Sequence, residues 1–278
     1  MSAVKTSAET MEAVCNVGLA KSKMTLLSNL ILAFMAGAYI GFGSLLALRI
    51  AGGMPLETWG SLQRLVFGGV FPCGLLLVLV AGADLFTGDC MFMPSGVAKH
   101  GVGINKFFRI LILAWIGNLI GSIVVAWLGN YTGLMADAKT AAYAVGVANG
   151  KTVLPFGVAF VRGIFCNWLV CLAIYMALSA PDGVSKTIML WPPITAFVAL
   201  GFEHSVANMT FIPLGIFIGN TAGYANLVAG GAAPLTATWG GFFITNLIPV
   251  TLGNFIGGSI FVGMAYYLGN GIKKAVKA

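Results

Sequence analysis

The sequence predicts an all-α polytopic membrane protein with six transmembrane helices in an inverted repeat, and three observations predict it. Only 8% of its 278 residues are Asp, Glu, Lys or Arg, and 59% are hydrophobic, whereas a soluble domain carries about 25% charged residues. Mean hydropathy is +0.95, and six apolar regions reach the ~20 residues that cross a bilayer. Two of those six are broken in the middle by the same arrangement of glycine, acid and proline.

Taken in order, residues 1–25 hold Lys5, Glu9, Glu12, Lys21 and Lys23 without an apolar core. That is the pattern of a cytoplasmic tail or an amphipathic surface helix, not of a cleaved signal peptide. Uninterrupted spans are expected over about 27–49, 107–129, 154–179 and 241–268, and broken ones over about 64–98 and 187–218. With each broken region counted as one crossing, the chain is a single transmembrane domain over 26–270, with a short cytoplasmic tail at 271–278. Six crossings put both termini on one side of the membrane.

Basic residues predict which side. Lys5, Lys21, Lys23, Lys99, Lys106, Arg109, Lys186, Lys273, Lys274 and Lys277 share the terminal side, against Arg49, Arg64, Lys139 and Lys151 opposite. Lys and Arg accumulate on the cytoplasmic face, so both termini are expected in the cytoplasm of a multi-pass protein of the cell membrane. The 219–240 segment has no charge at all, as suits an outer loop. The formal charge of +7 is spread over loops and tails, so it makes no patch for nucleic acid and suits membrane orientation and anion handling instead.

The broken regions read G82-A-D84-L-F-T87 with P94-S-G96, and G201-F-E203-H204-S-V with P213-L-G215. In both, glycine precedes an acid by two and Pro-x-Gly follows that acid by ten. A related signature trails each, G117-N-L-I-G-S-I and G253-N-F-I-G-G-S-I. Three spans per half, over about 26–130 and 150–270, force the halves into opposite orientations. The two breaks then meet near the midplane, where unwound backbone is tolerated only beside protein or a pore. Half-helix ends there offer partial charges without formal ones, suited to a small ion. Two merely kinked core helices are the competing explanation.

Intramembrane charge is costly and needs a partner or a purpose. At membrane depth lie Asp84, Asp89, Arg162, Glu203 and His204. His204 sits at a break, whereas the only other histidine, His100, sits in a loop beside Lys99. A lone buried histidine is often a satisfied core group, but its place at the break favours a functional one. Lys151, just outside the fourth span, reads equally as a snorkelling interfacial lysine. Arg162 has three open readings: a pair with Asp84, a pair with Glu203, or a subunit interface. The small-residue spacings Gly37–Gly41 and Gly117–Gly121 allow close helix approach. Cys15, Cys73, Cys90, Cys166 and Cys171 are odd in number and contain no C-x-x-C, so packing roles are expected, with no disulfide scaffold or metal site.

A-G-A-D-L-F-T (81–87) together with G-F-E-H-S-V-A-N-M (201–209) resembles the formate/nitrite transporter family. N-W-L-V-C-L-A (167–173), the six spans and the spacing of 16 between Lys151 and Asn167 agree, so the resemblance runs from about 20 to 270. It implies an aquaporin-like inverted-repeat fold, assembled as a homopentamer with one pore per protomer. It also implies transport of small monovalent anions or their conjugate acids, with no cofactor and no enzymatic activity. By matching positions, His204 is implied as the central pore histidine and Thr87 as its neighbour on a mobile loop. Asn167 and Asn208 are implied to line the pore, and Lys151 and Glu203 to form a charged framework outside the constriction. Phe71, Leu75 and Phe202 match the outer constriction and Leu85 the inner one.

T-G-D-C-M (87–91) departs from the familiar bacterial pattern and resembles the archaeal formate transporters of the family. Its Gly88 and Asp89 are candidates for a gating loop, although Asp89 equally suits the cap of the second half-helix. The expected function is passage of formate, as or with a proton, through the bilayer. Lys151 would attract the anion, and protonation at or near His204, by the imidazole or by water through it, would let neutral acid cross. Permeation as an anion past neutral His204 competes with this. Further alternatives are a nitrite or hydrosulfide channel of the same fold, a neutral-solute pore, and a non-transporting anchor of a redox complex. Haem anchors need paired intramembrane histidines, and an ATP-driven pump needs the absent G-x-x-x-x-G-K-[ST].

Overall fold

The computed structural model describes residues 4–275. The outermost parts of the expected tails, residues 1–3 and 276–278 with Lys277, lie outside the described residues. Helix α1 spans Ser7–Lys21 and α2 spans Leu26–Gly52. A short turn then leads to α3 (Ser61–Ala81), α4 (Phe86–His100) and α5 (Ile104–Tyr131). The second half follows with α6 (Ala138–Thr152), α7 (Phe156–Ser179), α8 (Gly183–Leu200), α9 (Ser205–Gly219), α10 (Ala222–Ala229) and α11 (Gly241–Gly269). Among the described residues there is no strand. The chain is an all-α, multi-pass membrane protein of six spans with the aquaporin-like inverted-repeat architecture. Its second span is broken into α3 and α4 and its fifth into α8 and α9.

The two breaks have the same backbone. Helix α3 stops at Gly82 (φ 78°, ψ 36°) and α8 at Gly201 (φ 78°, ψ 30°), left-handed conformations that favour glycine. Three residues on, α4 starts after Leu85 (φ −103°, ψ 122°) and α9 after His204 (φ −106°, ψ 115°). The amide of Asp84 donates to the Leu32 carbonyl at 3.1 Å, and that of Glu203 to the Arg162 carbonyl at 3.3 Å.

One asparagine clamps each break, and it is the Asn of the repeated G-N signature. Asn118 Oδ1 accepts the Phe86 amide at 2.9 Å, while its Nδ2 donates to the carbonyls of Ala33 (2.7 Å) and Asp84 (3.0 Å). Asn254 Oδ1 accepts the Ser205 amide at 2.8 Å, and its Nδ2 donates to the carbonyls of Gly163 (2.8 Å) and Glu203 (2.9 Å). Backbone groups freed by a break cannot turn to water in a bilayer, and a buried amide side chain supplies both a donor and an acceptor. Close helix approach brings each asparagine within reach. A Cβ on Gly121 would fall on the Phe34 carbonyl, and one on Gly257 on the Ile164 carbonyl.

The repeat also includes α1, within the segment read as a cytoplasmic tail or an amphipathic surface helix, and α6, which falls between the two expected halves. Each carries a lysine in its last turn, sixteen residues before the matching position of the next span, Lys21 before Gly37 and Lys151 before Asn167. Helix α1 is docked rather than free: Met11, Val14 and Cys15 are fully buried, and Lys5 Nζ donates to the Leu178 carbonyl at the end of α7. Helix α7 has 24 residues, roughly 36 Å of rise. Lys5 meets its last turn, while α6 leads into its first, so α1 and the α6 lysine mark opposite ends of the bundle.

Candidate functional site

A cavity of about 450 Å³ opens at the α6 end of the bundle and reaches inward to His204. Phe67, Phe71, Tyr143, Phe197, Phe202 and Phe211 supply its aromatic wall, and Arg64, Lys151, Arg162, Glu203 and Asn208 its polar groups. Beyond it lies an apolar throat, closed to water in this conformation and lined by Ile40, Phe71, Leu75, Val170, Ile194, Phe197 and His204. The rings of Phe71 and Phe197 meet edge to face at 6.0 Å, and Phe197 stacks on the His204 imidazole at 5.9 Å.

His204 serves as the N-cap of α9. Its Nδ1 accepts the Ala207 amide at 2.9 Å, and its Nε2 stands 3.0 Å from Thr87 Oγ1 across the break. Because Nδ1 spends its lone pair on a backbone amide, the ring hydrogen sits on Nε2, which donates to Thr87. A second proton on Nδ1 would set two N–H groups against each other and release the cap. The geometry therefore holds the imidazole as a neutral, one-sided donor facing the path.

Lys151 Nζ reaches both Glu203 oxygens, at 2.9 and 3.0 Å. Asn208 Nδ2 donates to Glu203 Oε2 at 2.6 Å and to Asn246 Oδ1 at 2.8 Å, and Asn246 Nδ2 donates to the Lys151 carbonyl at 3.0 Å. Asn246 lies in a π-helical turn, Gly241–Leu247, just ahead of Pro249, which has no N–H to continue the α-helical ladder. Glu203 is 3% exposed, so the ion pair and the amides hold a buried carboxylate without net charge.

The first half repeats the device with one change. Lys21 pairs with Asp84, Asn29 donates to Asp84, and Lys21 Nζ also lies 2.6 Å from Asp89 Oδ1. Counted from the acid, Asp89 holds the place of Asn208. One lysine thus faces two buried carboxylates here, where Lys151 faces one.

The structure brings His204, Thr87, Phe71 and Leu75 together and gathers Lys151, Glu203 and Asn208 beside them. It places the other candidates elsewhere. Asn167 is fully buried, lines neither cavity, and donates to the carbonyls of Thr87 (3.0 Å) and Asn254 (2.6 Å). Phe202 is in the vestibule wall, stacked on Phe165 at 5.3 Å, and is not part of the throat. Leu85 is buried at the first break, in the place His204 takes in the second. Thr87, Gly88 and Asp89 form the first turn of α4 rather than a loop, because Asn118 takes up the Phe86 amide and starts the helix there. Arg162 pairs with neither Asp84 nor Glu203; its side chain is exposed at the vestibule.

The sequence did not single out Phe197, Phe67, Phe211, Asn246, Lys21 or the clamping role of Asn118 and Asn254. The repeated G-N signature carried a signal for the asparagines. Aromatic residues inside apolar spans carried none.

A break-centred histidine at the end of an aromatic vestibule, within an inverted repeat of six spans, defines the class: a membrane channel or transporter for small solutes, not an enzyme. The chain belongs to the formate/nitrite transporter family, whose model matches residues 8–268. It is 44% identical to a probable formate transporter of Methanothermobacter thermautotrophicus over 96% of this chain and 97% of the relative. It is 39% identical to the nitrite transporter NirC of Escherichia coli (strain K12), covering 84% of this chain and 80% of that one. A solved structure described as a pentameric formate channel with formate bound superimposes with a TM-score of 0.77 at 32% identity, over 87% of this chain and 96% of that one.

Proposed function

We propose that this protein carries formate across the cell membrane as the neutral acid, through a pore in each protomer of a homopentamer with both termini cytoplasmic. The observation that carries this reading is the pairing of an apolar throat with one neutral imidazole donor. A bare anion loses its water between Phe71, Leu75 and Phe197 and finds no full charge to replace it, which is expensive in low dielectric. The same desolvation raises the pKa of a small carboxylate, from about 4 by analogy with Asp, so formate takes up a proton on the way in. His204 Nε2–H then donates to a formate oxygen in exchange for Thr87. Since Nδ1 is committed to the α9 amide, the proton that neutralises the anion comes from vestibule water and not from a stored imidazolium.

Support for formate comes from the archaeal relative and from the formate-bound structural neighbour; the same neighbour supports five protomers. The nitrite transporter at 39% identity keeps nitrite as a second substrate class. Formate flux into proteoliposomes, measured against pH for the wild type and His204→Ala, with nitrite, hydrosulfide and acetate as competitors, tests the reading. Flux should rise toward acid pH in the wild type and fall at every pH in the variant, which lacks the imidazole donor, with formate the best competitor. Unchanged flux and pH dependence in His204→Ala would remove the histidine's role, and stronger competition by nitrite would change the substrate.

A further inference from the structure

The charged groups that line the vestibule do not divide as its best-placed lysine suggests. Lys151 is matched by Glu203 at 2.9 Å, and two asparagines complete that carboxylate's shell. The pair contributes no net charge to attract an anion. What remains is Arg64, in the first turn of α3, and Arg162, in the second turn of α7. Both are exposed, both line the same cavity, and among the described residues neither guanidinium has an ion-pair partner or a side-chain hydrogen bond. The vestibule's surplus is therefore two positive charges, both on arginine.

The repeat shows that Arg162 is an addition to the scaffold. Its carbonyl accepts the Glu203 amide, and the carbonyl of Leu32 does the same for Asp84 in the other half. A leucine suffices for the backbone role, so the guanidinium at this mouth is not required by the fold. At the other break no arginine is added: Lys21 stands between the carboxyl groups of Asp84 and Asp89. The vestibule's unpaired charge thus sits on planar groups that bind carboxylates and oxoanions through paired N–H donors.

We propose that Arg64 and Arg162 form an anion-collecting subsite at the rim of the vestibule, and that they, rather than Lys151, concentrate small monovalent carboxylates or oxoanions ahead of the throat. This rests on the reading of the protein as a carrier of such anions. Charges lining a cleft of low-dielectric wall raise local counter-ion concentration and capture rates by roughly 10- to 1000-fold, and that gain falls steeply with salt. The rim acts on capture; passage through the throat belongs to residues deeper in.

The test is the concentration dependence of anion flux into proteoliposomes at low and high ionic strength, run in parallel with formate and with nitrite. The variants are wild type, Arg64→Gln/Arg162→Gln and Arg64→Lys/Arg162→Lys. In the glutamine pair the half-saturating concentration should rise about tenfold, with a much smaller change in maximal flux, and its dependence on salt should flatten. The lysine pair should restore most of both. A glutamine pair with wild-type half-saturation and salt dependence overturns the rim, and so does a lysine pair that behaves like the glutamine pair. A wild type that carries nitrite but not formate defeats the formate reading and leaves the rim to be judged on the nitrite data. A wild type that carries neither defeats both.

Discussion

At the scale of single residues, the site depends on groups held by partners across the two breaks. His204 is fixed by the Ala207 amide on one nitrogen and Thr87 on the other. Replacing Thr87 by valine leaves a buried Nε2–H without an acceptor, a loss of about 1–3 kcal/mol, and should lower both formate flux and the thermal midpoint of the purified protein. Glu203→Gln strips Lys151 of its counter-charge, and breaking such a buried pair costs about 3–5 kcal/mol. The double variant Lys151→Met/Glu203→Gln should recover part of that stability, which a double-mutant cycle on thermal unfolding in detergent would read. His204 was legible in the sequence because an ionisable group at a break stands out against apolar surroundings. Lys21 was not: it reaches Asp84 from 63 residues away, and no spacing rule predicts which distant acid a terminal lysine will meet. Asp89 was visible as an odd acid, but that it stands in the place of Asn208 required both halves in view.

At the scale of elements, the two asparagine clamps explain how a span can be interrupted without loss of order. Asn118→Ala should remove three buried hydrogen bonds at about 1 kcal/mol each, and Asn254→Ala the equivalent three. Each variant should unfold at lower temperature by a similar amount, since the clamps are equivalent; a large effect of one and none of the other would contradict the symmetry. Helix α1 belongs to the same scheme. Lys21→Met leaves Asp84 and Asp89 buried without a cation, and adding Asp84→Asn to it should restore expression and stability that Lys21→Met alone loses. The spans and breaks were readable from hydropathy and from glycine, acid and proline spacing. Helix α1 was readable only as a tail or an amphipathic surface helix, and α6 not at all, because each is short, mixed in composition and made helical by docking more than by its own periodicity.

At the scale of the whole molecule, the inverted repeat supplies a scaffold that is nearly symmetric while its chemistry is not. His204 takes the place that Leu85 holds in the first half, Asn208 that of Asp89, and Arg162 that of Leu32. The site is therefore polarised between a vestibule that carries Arg64 and Arg162 and an apolar throat with one donor. Native mass spectrometry should find five copies in the assembled protein, as in the pentameric neighbour. Aromatic walls such as Phe197 and Phe67 escaped the sequence because any apolar span offers many such rings and only the folded helices choose which face the path. On this reading formate crosses as a neutral acid. The most direct measurement of this is formate uptake by proteoliposomes with the membrane potential clamped at opposite signs and internal pH recorded together. Passage of the neutral acid gives a rate independent of the potential, with the interior acidifying in step with uptake; a rate that follows the potential, with no matching acidification, means that the anion crosses instead.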